Sequence, residues 1–349
     1  MSDHGKVVTF VGVDAHFKNC TIHAIDRESR LVFQADVVTS LRVLRDKLKL
    51  LPGPIWAMVE ASAISAFIKR CLAPVVDRVI VCETRHNRWI SNDDVKCDAA
   101  DARRLAELLR LRSYKEVYVP APARQEIREL MAAYQKIVSD LVRAKCRLRA
   151  VYGSQGMGRG GESIYTEDDR KTWLEKIRSV NTRTVLEAHY DQLDAAAAAK
   201  GKLAKHLKRL LSDTPEYRLL RTIPGVGDVV AAIFVAIIDR PERFANKHKL
   251  WSYAGLGVRQ HSSSVSGRVK SGGAHNGNRL LKYAAMVAAH VAIRGDNRFA
   301  RHHKKMLARK LDPNVAKKTI ARGILAAAWS MWKSGSVYRD DIQPPATDD

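Results

Sequence analysis

The run VVTFVGVD at Val7–Asp14 constrains the fold of this chain more than any other stretch. It is short, β-branched and aromatic, and it ends on a carboxylate, with His16 and Lys18 directly after it. Alternation by two puts Val8, Phe10, Gly12 and Asp14 on one face of a strand. An acid in that place either caps the following turn or supplies half of a metal site, and at this point both readings stand.

The chain has 349 residues, enough for two or three domains with a core in each. Sixty Lys and Arg against 37 Asp and Glu leave a formal charge of +23, and the 46% hydrophobic content marks a folded protein, not a disordered basic tail. Polyphosphate suits such a field, because neutralised phosphates release condensed counterions; an anionic membrane surface is the competing partner. No apolar run reaches the roughly 18 residues a spanning helix needs. The N-terminus lacks a signal-peptide apolar core, so a cytoplasmic protein is expected. Cys20, Cys71, Cys82, Cys97 and Cys146 are odd in number and show no CxxC spacing, which predicts free thiols in a reducing compartment. His302 and His303 lack a partner motif for zinc.

Residues 1–120 read as α/β. TIHAID (Thr21–Asp26) and LVFQADVV (Leu31–Val38) follow the first strand closely enough to form antiparallel hairpins. SLRVLRDKLKLL (Ser40–Leu51) has helical spacing behind a Ser cap and stops at Pro52-Gly53-Pro54. IWAMVEA (Ile55–Ala61) reads as a strand carrying Glu60 near its end. A helix to about Leu72 then leads to RVIVCET (Arg78–Thr84), suited to a buried parallel strand. Three hairpin-linked strands followed by β–α–β units is the order of an RNase H-like fold. DAADARRLAELLRLR (Asp98–Arg112) is a helix with Asp98 and Asp101 three apart in its first turn; a plain solvated helix start looks the same.

Pro120 and Pro122 mark a boundary. A long helix is expected from Arg124 to about Tyr152, with Arg143, Lys145, Arg147 and Arg149 crowding its end. Gly153–Ser163 is a glycine loop, not a phosphate-binding fingerprint, since no strand precedes it. Helices at Thr166–Val180 and Thr182–Leu211 follow, and the series predicts a coiled-coil hairpin over residues 121–213. Its Lys and Arg are either solvated charge or nucleic-acid contacts. Residues 214–340 form a mostly helical domain. In it, Leu219–Ile238 contains IPGVGD and resembles a helix-hairpin-helix element, whose backbone N–H groups (here around Gly225 and Gly227) bind a phosphate; an ordinary helix–helix turn is the alternative. Gly255–Lys282 is a loop rich in Ser, Gly, Arg and Lys. Helices then run over about 279–293, 298–310 and 313–333, and residues 341–349 read as a disordered tail.

Glu60 joins these pieces. An ionised carboxylate in an apolar strand is costly to bury unless a cation offsets it. In an RNase H-like sheet its strand neighbours the first one, with both acids at the same end and the helix from Asp98 able to bring two more. Four crowded carboxylates repel, and divalent metal relieves the repulsion. With VGVDAH, VEAS, KCDAADARRLAE, IPGVGDVVAA, LWSYAGL, RQHSS and NGNRLLK in this order, the chain resembles the DEDD transposases of the Piv-invertase and insertion-sequence 110/1111 type, also described as RNA-guided (bridge RNA) recombinases.

The resemblance implies a RuvC-like domain in which Asp14, Glu60, Asp98 and Asp101 bind Mg²⁺ or Mn²⁺. It also implies a serine nucleophile in the C-terminal transposase domain, which attacks DNA to give a phosphoserine intermediate and strand exchange. The family's loop is not matched cleanly by HSSSVSG: counting back from Gly277 favours Ser264, then Ser263, among Ser262, Ser263, Ser264 and Ser266, while a further family serine stands here as Ala274. Arg259, Arg268 and Lys270 flank the serines as phosphate contacts or as solvated loop charges. The implied partners are double-stranded DNA, a structured guide RNA and further copies in a dimer or tetramer, with no membrane and a place in the bacterial nucleoid. A metal-dependent RNase H-like nuclease or Holliday-junction resolvase is the alternative, needing the acids but not the serines.

Overall fold

Alternate side chains along the first strand are buried on opposite faces of the sheet, in two separate cores. In the computed structural model β1 (Thr9–Ala15), β2 (Asn19–Ile25) and β3 (Leu31–Val38) are followed by α1 (Leu41–Leu48), β4 (Ile55–Glu60), α2 (Ser65–Leu72), β5 (Arg78–Cys82) and α3 (Asp98–Arg110). The structure describes residues 9–83, 98–158, 161–262, 269–273 and 277–340. Contacts group the chain into two units, Met1–Pro120 and Ala121–Asp349.

In the first unit the sheet order is β3-β2-β1-β4-β5. The first three strands pair antiparallel, and β4 and β5 run parallel to β1. This mixed five-stranded sheet is compatible with an RNase H-like domain. Val11 and Val13 of β1, with Ile55, Ala57 and Val59 of β4, pack on the α1 and α2 side. Phe10 of β1, with Trp56 and Met58 of β4 and Ile80 of β5, meets Leu105, Leu108 and Leu109 of α3. By the same alternation Gly12, Asp14 and Glu60 share the α3 face. The glycine is required there: a Cβ at Gly12 would lie 1.9 Å from the Ala102 carbonyl oxygen of α3.

The second unit is mostly helical: α4 (Pro122–Ser154), α5 (Glu167–Glu175), α6 (Val180–Leu211), α7 (Pro215–Leu220), α8 (Asp228–Ile238), α9 (Lys247–Tyr253), α10 (Arg279–Ala292), α11 (Arg298–Ala308) and α12 (Pro313–Ser334). α4 and α6 pack along each other in opposite directions. Ala144, Leu148 and Tyr152 near the end of α4 join Leu186, Tyr190 and Leu193 near the start of α6. At the other end Ile127, Met131, Leu207 and Leu211 merge into one core with α8, α10 and α12. Every residue from Val230 to Ile238 of α8 is buried, which places this helix at the centre of the unit.

Two readings need correction. The helix expected over Thr166–Val180 ends at Glu175, because Ile177 is buried in the outer hairpin core and Ser179 caps α6 by accepting the Thr182 N–H at 3.3 Å. The loop expected over Gly255–Lys282 contains an antiparallel pair, β6 (Val258–Ser262) and β7 (Val269–Gly273). Val7 and Val8 of the expected first strand lie outside the described residues, and β1 is described from Thr9. Cys20, Cys71, Cys82 and Cys146 are free thiols; Cys97 and the tail 341–349 lie outside the described residues. Among the described residues no helix is long and apolar enough to cross a membrane.

Candidate metal centre

Parallel pairing sets the first two acids level. Val13 is the register partner of Val59, so Asp14 and Glu60 follow at the same end of neighbouring strands. Both line one recess of about 160 Å³, together with His16, Phe17, Ser62 and Ile64. Asp14 is buried and Glu60 half-buried. The third acid comes from α3. Asp98, exposed on its first turn, places a carboxylate oxygen 4.0 Å from His16 Nε2, and the same nitrogen lies 3.2 Å from Asp14 Oδ2. One donor atom from each of Asp14, His16 and Asp98 lies within 4.8 Å of the others.

Asp101 follows one turn on. Its carboxylate is held by the Arg104 guanidinium at 3.0 Å, on the side of α3 that still reaches Asp14 electrostatically. Burial pushes the Asp14 carboxyl above the usual carboxylate range; neighbouring His16 opposes the rise, and the charges of Asp98 and Asp101 add to it. Two hard carboxylate oxygens and an imidazole nitrogen converge around excess negative charge, a donor set that fits a divalent cation. The geometry thus brings Asp14, Asp98 and His16 together, with Glu60 in the same recess and Asp101 beside it. His16 was not among the residues singled out from sequence for this site. Its signal was the spacing Asp-x-His at the end of β1, since residues two apart along a strand share a face.

The other expected site residues lie in the second unit. Ser263, Ser264, Ser266 and Arg268 fall outside the described residues; Ser262 and Arg259 lie on β6 and Lys270 on β7. Downstream of this hairpin, the Asn278 N–H donates to the Tyr253 carbonyl at 2.7 Å. Gly225 takes φ +83° in the turn before α8, and its missing side chain lets the Ala288 carbonyl of α10 approach; a Cβ would stand 2.2 Å from it. Gly227 is the N-cap of α8. The turn forms an open groove with Lys205, Lys208 and Arg221. Asp228, at the start of α8, accepts the Tyr217 hydroxyl at 3.0 Å and pairs with Arg221 at 2.9 Å and Lys208 at 3.2 Å. In the hairpin, Arg143 pairs with Asp140, Lys145 with Glu162 at 2.9 Å, and Arg147 donates to Gln192 at 3.0 Å. These three cations therefore have partners inside the hairpin.

Comparison with known proteins matches two separate stretches. Residues 11–152, which contain all four acids, match a family model described as a DEDD transposase of the IS110 type. Residues 217–304, which contain the Gly225 turn and Ser262–Ser266, match the model described as transposase IS116/IS110/IS902 family. The chain is 25% identical over 202 residues to the transposase for insertion sequence element IS1111A of Coxiella burnetii, covering 57% of this chain and 55% of that protein. It is 28% identical over 148 residues to an uncharacterised insertion element IS110 protein of Streptomyces coelicolor (42% and 36% covered). A pilin gene-inverting protein of Moraxella lacunata is 33% identical over 129 residues (36% and 33% covered). The chain thus spans about half the length of the first of these relatives and about a third of the other two.

Proposed function

Given that the chain belongs to the IS116/IS110/IS902 family of DEDD transposases, we propose that it is a DNA transposase that cuts and rejoins the ends of an insertion element. The observation that carries this reading is the placement of Asp14 and Glu60 at one end of adjacent parallel strands, under the helix start that supplies Asp98. Asp14, Glu60, Asp98 and Asp101 are the residues that hold the metal, Mg²⁺ or Mn²⁺. When bound, the metal neutralises phosphate oxygens and makes an adjacent hydroxyl more acidic.

The chain's own side chains do the rest. The carboxylates would hold the cation that draws the scissile phosphate to the recess, and burial of Asp14 limits the water that screens its charge. A serine of the second unit, Ser264 or Ser263, is the nucleophile. Its oxygen bonds to phosphorus while the bond from phosphorus to one sugar oxygen breaks; the serine proton leaves and the departing oxygen takes one up. A hydroxyl from another strand reverses the step and rejoins the DNA. Arg259, Arg268 and Lys270 steady the charge on the phosphate. The Gly225–Gly227 turn, as a helix-hairpin-helix with Lys205 and Lys208, grips the DNA backbone, and the α4–α6 hairpin, as a coiled coil, associates copies into dimers and tetramers. Double-stranded DNA and a guide RNA encoded by the element are the partners, in the cytoplasm at the nucleoid. The net charge of +23 favours both nucleic acids.

The test is a plasmid carrying the element with its natural flanks, incubated with the full chain, Mg²⁺ and RNA transcribed from the element. Asp14→Asn abolishes recombined junctions while DNA retention on a gel stays within about twofold. Ser262, Ser263, Ser264 and Ser266 are replaced by Ala singly and together. Undiminished product from the quadruple variant rejects serine catalysis and leaves a nuclease of the resolvase kind.

A further inference from the structure

Among the described residues, the carboxylate centre has one donor that is not an oxygen. We infer that His16 coordinates the metal through Nε2 beside Asp14 and Asp98, and that this nitrogen gives the site a preference for Mn²⁺ over Mg²⁺. The inference rests on the reading of those acids as metal ligands and adds a residue and a selectivity to it.

Two observations carry it. The first is spacing. Ligand atoms each about 2.1 Å from one ion stand about 3 Å apart when adjacent and about 4.2 Å apart when opposite. The His16 nitrogen lies 3.2 Å from one carboxylate oxygen and 4.0 Å from the other, within that range for both. The second is that the backbone under the ring is pinned. The His16 N–H donates to the Asn19 carbonyl at 2.9 Å, and the Thr39 hydroxyl donates to the His16 carbonyl at 2.6 Å. The ring projects from a fixed turn into the recess that Asp14 and Glu60 line. Its side chain is 61% exposed, so it is not a core histidine placed there by packing.

The selectivity follows from ligand chemistry. Mg²⁺ is hard, holds its waters and takes oxygen almost exclusively. An imidazole nitrogen adds little to its binding but strengthens binding of first-row transition ions, in the order that begins with Mn²⁺. A site of carboxylates alone would not discriminate in this way.

Pulsed electron paramagnetic resonance of the full chain loaded with Mn²⁺ tests the inference without any DNA reaction. The wild type is expected to show ¹⁴N modulation from a directly bound nitrogen, and His16→Asn is expected to lose it. In parallel calorimetry, His16→Asn is expected to weaken Mn²⁺ by about tenfold and Mg²⁺ by less than about threefold. Circular dichroism checks that the exposed substitution leaves the fold intact. If Mn²⁺ binds, is lost in Asp14→Asn, and shows no ¹⁴N modulation in the wild type, His16 is not a ligand although the carboxylate site stands. Modulation that persists in His16→Asn also overturns the inference. Mn²⁺ binding unchanged in Asp14→Asn overturns the carboxylate site, and this inference with it.

Discussion

Gly12→Ala tests how the site is assembled without touching any ligand. A methyl group at Gly12 would sit 1.9 Å from the Ala102 carbonyl oxygen and 2.7 Å from the Ala106 nitrogen. Ordinary contact needs about 3.5 Å, so α3 must retreat by roughly 1.5 Å or the strand must buckle. Both partners are backbone inside regular elements, and no flexible side-chain tip can swing aside. Overpacking of this kind costs about 1–3 kcal/mol, which for a unit of this size lowers the unfolding midpoint by roughly 5–15 °C. The functional consequence is separate. Ala102 is one residue beyond Asp101, so the retreat carries Asp98 and Asp101 away from Asp14. Displacement of about 1 Å at a reacting centre costs on the order of a hundredfold in rate. Thermal unfolding and Mn²⁺ titration of the full chain at the same temperature measure the two effects. We expect a lower midpoint together with Mn²⁺ affinity reduced about tenfold or more. A variant that keeps both the wild-type midpoint and wild-type affinity would refute the packing of α3 on β1 as the device that gathers the acids.

Asp14→Asn should stabilise the protein in chelator by about 1 kcal/mol while abolishing the stabilisation that added Mn²⁺ gives the wild type. The sign follows from the raised Asp14 value: the folded state holds that proton more firmly, so stability is present at low pH and falls as pH rises through the folded-state value. Thermal melts in chelator at several pH values check both points, and a destabilised variant contradicts them. Tyr217 is buried, and its burial and its hydrogen bond to Asp228 push the phenol up to about 12. Its contribution is intact below the ordinary tyrosine value near 10 and is lost as pH rises to 12, an effect of about 2 kcal/mol. Tyr217→Phe should therefore show a shallower loss of stability over pH 10–12 in denaturant titrations. Arg124 pairs with Glu216 at 2.8 Å and with Asp239 at 3.0 Å, both little exposed. Arg124→Met should cost about 2–4 kcal/mol by removing the buried cation that both carboxylates share, read as a lower urea midpoint.

Much of the first unit was legible because alternation and a strand-terminal acid are strong local signals. Leu31–Val38 coincides with β3, and Asp14 and Glu60 do stand at one end of parallel neighbours. Taken alone, Asp98 and Asp101 look like a plain helix start, and tertiary packing of α3 over Gly12 is what gives Asp98 its neighbours. The β6–β7 pair was missed because Val258–Ser262 and Val269–Gly273 are too polar and glycine-rich to look like strands. The same polarity hides which serine matters, since four of them fall within the five positions 262–266 with no periodic pattern to rank them. His16 was passed over because it lies where strand alternation ends; only the turn to Asn19 settles where its ring points.

The central claim is that these dispersed acids close around one cation. Anomalous scattering from crystals of the full chain soaked in Mn²⁺ tests it most directly. A peak about 2.2 Å from carboxylate oxygens of both Asp14 and Asp98, with Glu60 facing it across the recess, is the expected result. A peak remote from Asp14, or no peak at saturating Mn²⁺ with Glu60 turned out of the recess, would contradict the account.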